Sequence, residues 1–205
     1  MALDDLLARQ GLSAGERILI RAQALIWPGR WKELAACFVR ARDDGVPRSH
    51  LEELLLQAIL FCGFPRVIRA FRVFAEVWPA EQPPTGGAVP LQKQAHAGRE
   101  LFATIYQENT ESVRAMLRSY HGELHDFVLD TAYGRILSRQ GLPPRTRELI
   151  AVAALAVMDQ IPQLVAHGRG ALNFGADGEQ VFEAIYTALQ DAEEARRLQR
   201  RIVGS

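Results

Sequence analysis

The sequence contains two similar copies of one stretch. Moving the chain along itself so that Arg9 falls on Arg139 places Arg9-Gln10-Gly11-Leu12 on Arg139-Gln140-Gly141-Leu142 without a gap. This repeat shift also aligns further identical residues: Leu19-Ile20 with Leu149-Ile150, Ala24-Leu25 with Ala154-Leu155, Leu34 with Leu164, Ala41 with Ala171, Gly45 with Gly175 and Glu53 with Glu183. A fixed period is the signature of a duplicated structural unit. Two such units in one chain often pack as a pseudo-twofold pair, which imitates a homodimer.

Each copy has the pattern of two helices joined by a turn, and the second copy shows it best. Its first arm, Glu148 to Met158, is apolar on every side of a helix, which predicts burial in a core or at a subunit interface. Asp159 and Gln160 interrupt this run, Pro162 suits the first turn of a new helix, and Gly175 suits its end. Strand-like alternation is missing throughout. The sequence therefore predicts an all-α fold with two helical hairpins.

A stretch rich in proline and glycine, residues 79–92, separates the two copies and predicts a linker. We therefore expect a first unit at residues 1–78 and a second unit at residues 93–205. In the first unit Ile18 takes the position of Glu148 and Cys37 takes the position of His167. An acid/base pair of the kind described below is therefore possible only in the second unit.

Composition excludes several classes of function. The chain has 205 residues, with 24 basic and 24 acidic side chains, so it lacks the positive footprint of a nucleic-acid-binding protein. The N-terminal MALDDLLARQ does not resemble a signal peptide, and no stretch of 18 apolar residues is free of charge. We expect a cytoplasmic protein with no membrane partner. Cys37 and Cys62 form no CxxC motif, and their apolar surroundings favour small buried hydrophobes over a redox pair.

Glu148 and His167 are the candidate catalytic residues. They lie on opposite arms of the second hairpin, and at 1.5 Å per residue their heights differ by about one helical turn. Their side chains are expected to meet directly or through one water. An imidazole titrates near neutral pH, so a buried carboxylate facing it makes a recognisable acid/base pair. The alternatives are a structural ion pair and a solvated glutamate at a helix start.

Around this pair the sequence resembles the carboxymuconolactone decarboxylase and AhpD-like family. One branch of that family carries a Glu, a CxxC motif and a His four residues after the second Cys. Here Gln160 and Gln163 stand where the cysteines would be, so the resemblance is to the decarboxylase branch, which commonly lacks them. The stretches that carry it are Arg139, Gly141 and Leu142; Arg145 to Leu149; Pro162 to Leu164; and His167 to Ala176.

The resemblance implies an AhpD-like helical fold, a homo-oligomer, and a lyase that removes CO2 from a small carboxylated lactone formed in aromatic-acid degradation. No cofactor and no metal is implied. His167 would be the acid or charge stabiliser, with Glu148 as its orienting partner. Arg145 and Arg135 are candidate carboxylate clamps, and Tyr133, which stands where the family usually has Trp, is a third candidate substrate-binding residue.

Two other functions compete with the lyase. Alkyl hydroperoxide reduction needs an attacking thiolate and a resolving thiol, which Gln160 and Gln163 cannot supply. A non-catalytic relative, or one with an unknown substrate, would use the hairpins only to build an oligomer. His121 and His125 lie four residues apart on one helical face, but no third ligand is nearby in the sequence, so we assign no metal site.

Overall fold

The computed structural model describes residues 1–82 and 86–204. Helices make up 79% of the chain and the described residues contain no strand, which confirms the all-α prediction. The described α-helices are α1 Leu3–Leu7, α2 Ala14–Ile26, α3 Trp31–Asp43, α4 Arg48–Val77, α5 Leu91–Tyr106, α6 Thr110–Tyr120, α7 Gly122–Asp126, α8 Pro144–Val157, α9 Ile161–Asn173, α10 Gly178–Leu189 and α11 Ala192–Val203. A 3-10 turn, Gln107–Asn109, precedes α6, and a π-helical segment, Phe127–Leu137, follows α7.

The repeat in the sequence is also a repeat of helices. The first hairpin consists of α2 and α3, and the second consists of α8 and α9. Under the repeat shift α3 and α9 coincide at both ends, and the starts of α4 and α10 coincide as well. Gly45 and Gly175, just beyond the second arms, have φ of +72° and +88°, which is the backbone conformation that ends a helix at low cost for glycine. Part of the predicted linker, residues 83–85, lies outside the described residues.

The two hairpins share one hydrophobic core. Leu19 and Leu25 of α2 are buried in the same cluster as Leu149 and Leu155 of α8. The first arms of the two hairpins pack against each other, and α10 packs against both of them. The apolar run at Glu148 to Met158 is therefore buried inside the chain, between the two units.

Two buried ion clusters join the units. Each takes its carboxylate from one unit and its guanidinium groups from the other: Glu53 with Arg139 at 2.7 Å and Arg147 at 2.6 Å, and Glu183 with Arg17 at 2.8 Å and Arg9. Each residue of one cluster corresponds to a residue of the other under the repeat shift. The clusters are therefore two copies of one contact, related by the pseudo-twofold axis.

Burial and the arginines act in opposite directions on the two carboxyl groups. Burial alone would raise the pKa of Glu53, but hydrogen bonds from Arg139 and Arg147 outweigh it, so the pKa lies below its usual value. Glu183 shows the same balance, and its pKa is also lowered. Both carboxylates are therefore stabilised in the ionised form by the fold.

Helix α4 bends at Gly63, which has φ +69° and ψ 167° and lies two residues before Pro65. By length and composition α4 is the one helix of the described residues that would suffice to cross a membrane, with a mean hydropathy of 1.6 over its best window. The core helix of a soluble protein meets the same criterion, and Leu51, Leu54 and Leu55 of α4 are fully buried here.

A close helix crossing places α5 and the π-helical segment over the second hairpin. A Cβ on Gly98 would lie 2.3 Å from the carbonyl oxygen of Leu129, and a Cβ on Gly134 would lie 2.4 Å from that of Gln94. Only glycine allows the two backbones to approach so closely at these points. The crossing brings the rings of Tyr106 and Tyr133 together, and α5 packs against α9 of the second hairpin.

Candidate functional site

Glu148 and His167 contact each other directly. The Nδ1 atom of His167 lies 2.9 Å from Oε2 of Glu148, and both side chains are at least nine-tenths buried. An ionised carboxylate can only accept a hydrogen bond, so Nδ1–H is the donor. This fixes the orientation of the ring and leaves Nε2 as the nitrogen available to a ligand.

Gly170 makes room for the carboxylate. A Cβ at this position would lie 2.5 Å from Oε2 of Glu148, so any other residue would displace the acid from His167. Gly170 is the residue one turn after Ala166 on α9, and it also faces Ile105 of α5. Glycine is therefore needed at position 170 for a steric reason, because a side chain there would collide with the carboxylate of Glu148.

Access to the pair is through the imidazole. The His167 side chain is 9% exposed, whereas Glu148 is 2% exposed, so the carboxylate lies behind the ring as seen from solvent. The Phe61 ring of α4 packs edge-on against the imidazole, with ring centroids 6.2 Å apart. Gln163 lies one helical turn before His167 and is exposed. Phe61 therefore packs against the ring of His167, and Gln163 is an exposed residue one turn before it on the same helix.

Tyr133 lies behind the pair in a second, smaller hydrophobic cluster. It is 4% exposed, and its hydroxyl donates to that of Tyr106 at 3.3 Å. Burial raises the pKa of Tyr133 well above its usual value, and the charges of Tyr106 and Glu148 raise it further. Burial is also the main cause of the raised pKa of Tyr106. Both phenols are therefore neutral at neutral pH, and Tyr133 is the donor in the contact between them.

The two arginines predicted as carboxylate clamps are not placed against the pair. Arg145 forms an ion pair with Glu16 of α2, and that glutamate is itself held in a capping box with Ser13. Arg135 lies exposed on the π-helical segment. Arg145 is only three residues before Glu148 in the sequence, but its ion-pair partner is Glu16 of the first unit.

Arg169 lies two residues after His167 on α9 and is exposed. It lines a cleft of about 360 Å³ on the outer face of α9, together with Tyr106, Asn109 and Asn173. Neither Glu148 nor His167 lines this cleft. The cleft and the open side of the imidazole are therefore separate surfaces of the second unit.

The two histidines considered for a metal have other roles. Nδ1 of His121 accepts a hydrogen bond from the backbone N–H of Glu123 at the start of α7, and Nδ1 of His125 contacts Asp126 at 2.8 Å. Among the residues that the structure describes, no group of three or more His, Cys, Asp or Glu side chains is arranged to hold a metal ion.

The cysteines of the first unit have the surroundings of structural thiols. Cys37 and Cys62 are free and buried. Burial raises the pKa of Cys37 to about 12 and that of Cys62 to about 11, so both thiols stay protonated at neutral pH. A protonated thiol is a poor nucleophile toward peroxide.

Sequence reasoning missed Phe61 and Tyr106. Phe61 belongs to the first unit by sequence and reaches the second only because the units pack together. Tyr106 stands four residues after Phe102, and their rings lie 4.3 Å apart. That spacing indicates an aromatic face on α5, but it does not indicate which element the face covers.

Comparison with known proteins adds a family and two relatives. The model of the carboxymuconolactone decarboxylase family matches residues 1–76 and 122–199, so it covers both hairpins. Peroxisomal protein 2 of Schizosaccharomyces pombe is 33% identical over 147 residues, which cover 70% of this chain and 69% of that protein. A 4-carboxymuconolactone decarboxylase of Acinetobacter baylyi is 30% identical over 69 residues, which cover 34% of this chain and about half, 52%, of that enzyme.

Proposed function

The chain belongs to the carboxymuconolactone decarboxylase family and has its helical, AhpD-like fold, and on this premise we propose that it is an acid/base lyase. Its substrate is a small carboxylated lactone, and its reacting groups are His167 and Glu148. The observation that carries the proposal is the buried 2.9 Å contact between Nδ1 of His167 and Oε2 of Glu148, with the other ring nitrogen left for the substrate.

In the proposed reaction His167 donates a proton, and Glu148 supports it in that role. When the bond to the carboxylate carbon breaks, CO2 leaves and the electron pair passes to the conjugated lactone carbonyl as an enolate. Protonated His167 stabilises this charge and then delivers the Nε2 proton to carbon. Glu148 holds the ring through Nδ1 and stabilises its positive charge. A positioned acid of this kind typically contributes a factor of about 10² to 10⁴ in rate.

The redox alternative has little support. It would need a thiolate, and the only cysteines are two buried thiols whose pKa values are raised to about 12 and about 11. The non-catalytic alternative is favoured by one observation, which is that the first hairpin keeps its fold without the pair. It becomes the conclusion if the following experiment fails.

The test is the rate of CO2 release from 4-carboxymuconolactone by the purified full chain, with His167→Asn and Glu148→Gln measured beside it. We expect turnover that falls by at least about 10²-fold in each variant, with helix content unchanged by circular dichroism. His96→Asn is the matched control, because His96 is an exposed histidine on α5. Absence of turnover at high enzyme concentration, or full activity in His167→Asn, would overturn the proposal.

A further inference from the structure

The first unit keeps a cavity at the place where the second unit holds its acid/base pair. The cavity measures about 150 Å³, and its walls include Leu3, Leu6, Arg21, Leu25, Glu33 and Cys37. Under the repeat shift, Cys37 corresponds to His167, Glu33 to Gln163 and Leu3 to Tyr133. The counterparts of His167, Gln163 and Tyr133 therefore line a pocket in the first unit.

Two charged side chains line this pocket, Glu33 and the buried Arg21. Arg21 is 6% exposed, and its Nη1 donates to the carbonyl oxygen of Ala188 at 3.0 Å. Its Nη2 lies a long 3.5 Å from Glu33, and Glu33 also pairs with Arg30 and is half-exposed. Burial, with a smaller effect of Arg30, lowers the pKa of Arg21. The buried cation is thus only partly compensated by the protein.

Glu33 is the carboxylate on the pocket wall, and it is already paired with Arg30 and Arg21. The remaining side chains of the wall are neutral. Burial raises the pKa of Cys37 to about 12, so its thiol carries no charge at neutral pH and does not repel an anion. Leu3, Leu6 and Leu25 supply aliphatic surface. A cavity of roughly 150 Å³ holds a ligand about as large as benzene, which has six heavy atoms.

We propose that this pocket binds a short-chain monocarboxylate. The ligand carboxylate pairs with the guanidinium group of Arg21, for which planar carboxylates are matched partners. Its hydrocarbon tail lies against Leu3, Leu6 and Leu25. The site is independent of His167 and Glu148, so it stands or falls separately from the lyase activity.

Butyrate is the probe, titrated into the full chain and followed by calorimetry. We expect saturable binding at one site, with at least a tenfold loss of affinity in Arg21→Gln and in Ala36→Leu. Ala36 lies exposed at the edge of the pocket, so the larger residue closes the entrance and leaves Arg21 intact. Butyramide, which has the same tail and no charge, is expected to bind at least tenfold more weakly than butyrate.

His167→Asn separates this site from the acid/base pair, because butyrate binding at Arg21 is expected to be unchanged in that variant. Three results would overturn the proposal: no saturable binding of butyrate, equal binding by Ala36→Leu and the unmodified chain, or binding that only His167→Asn removes. If butyrate does not bind, the remaining role of Arg21 is to donate a hydrogen bond to the carbonyl oxygen of Ala188 near the end of α10. If Arg21→Gln does not fold, Ala36→Leu alone decides the question.

Discussion

The two hairpins have the same backbone plan and the same contacts with each other, but only one of them holds a carboxylate against a histidine. Both units keep the glutamate and the two arginines that join them. At the site, the second unit has Glu148, His167 and Gly170, and the first has Ile18, Cys37 and Arg40. The residues that hold the units together are therefore separable from the residues that carry the proposed chemistry.

The largest expected effect comes from removing the carboxylate of one ion cluster. Glu53→Ala leaves Arg139 and Arg147 without their anion, and breaking a buried ion pair in this way costs about 3 to 5 kcal/mol. Glu183→Ala should cost less, because the Arg9 side chain is 34% exposed and that of Arg139 is 11% exposed. Urea denaturation measures both. A larger loss in Glu183→Ala would contradict the assignment of these energies to burial.

Lowering the pH should reduce the free energy of unfolding by less than these substitutions do, because acid protonates Glu53 and Glu183 but leaves their side chains in place. The pKa values of Glu53 and Glu183 are lowered in the folded chain, so the native state binds fewer protons than the unfolded state. Their contribution is present above the ordinary glutamate pKa of about 4.3 and is lost as the pH falls through the folded values. The free energy of unfolding, measured from pH 7 to pH 3, should therefore fall mainly below about pH 4.3.

In the double variant Glu53→Gln/Glu183→Gln this dependence should be weaker, although the variant is less stable at pH 7. Glutamine keeps the size of the side chain and removes its titration. A slope of stability against pH that is unchanged in the double variant would show that other carboxylates set the acid limit.

Gly170→Ala tests the second unit alone. The new Cβ would lie 2.5 Å from Oε2 of Glu148, so the carboxylate must move away from His167, at a cost of about 1 to 3 kcal/mol in stability. We expect the rate of CO2 release to fall at least tenfold. Arg40→Ala changes the corresponding residue of the first unit and should leave that rate unchanged. Equal rates in Gly170→Ala and the unmodified chain would show that the contact is not needed for turnover.

The smallest expected effect is that of Tyr133→Phe. The change removes one hydrogen bond, from Tyr133 to the hydroxyl of Tyr106, and should cost about 0.5 to 1.5 kcal/mol. Leu3 occupies the corresponding position in the first unit, so a hydroxyl is not required by the fold. Because Tyr133 is buried behind the pair, we expect KM to stay within twofold of its original value. A large rise in KM would support the substrate-binding role predicted from the sequence.

The backbone plan was predictable because it depends on local rules. The internal repeat, Pro162 at the start of α9 and Gly175 beyond its end are all visible in the sequence, and the rise of a helix was enough to bring Glu148 and His167 together. The π-helical form of Phe127–Leu137 was not predictable, and its close approach to Gly98 is a tertiary contact that the local sequence does not indicate. The partner of Arg145 was missed for a similar reason, since Glu16 is 129 residues away and meets it only after the units pack.

Each unit supplies a glutamate to the arginines of the other unit, and this limits how the sequence of such a chain can change in evolution. A unit that has lost its own acid/base pair still supplies Glu53 to the arginines of its neighbour, so it cannot be deleted without leaving two buried cations unmatched. Each half is therefore expected to lose stability when it is separated from the other.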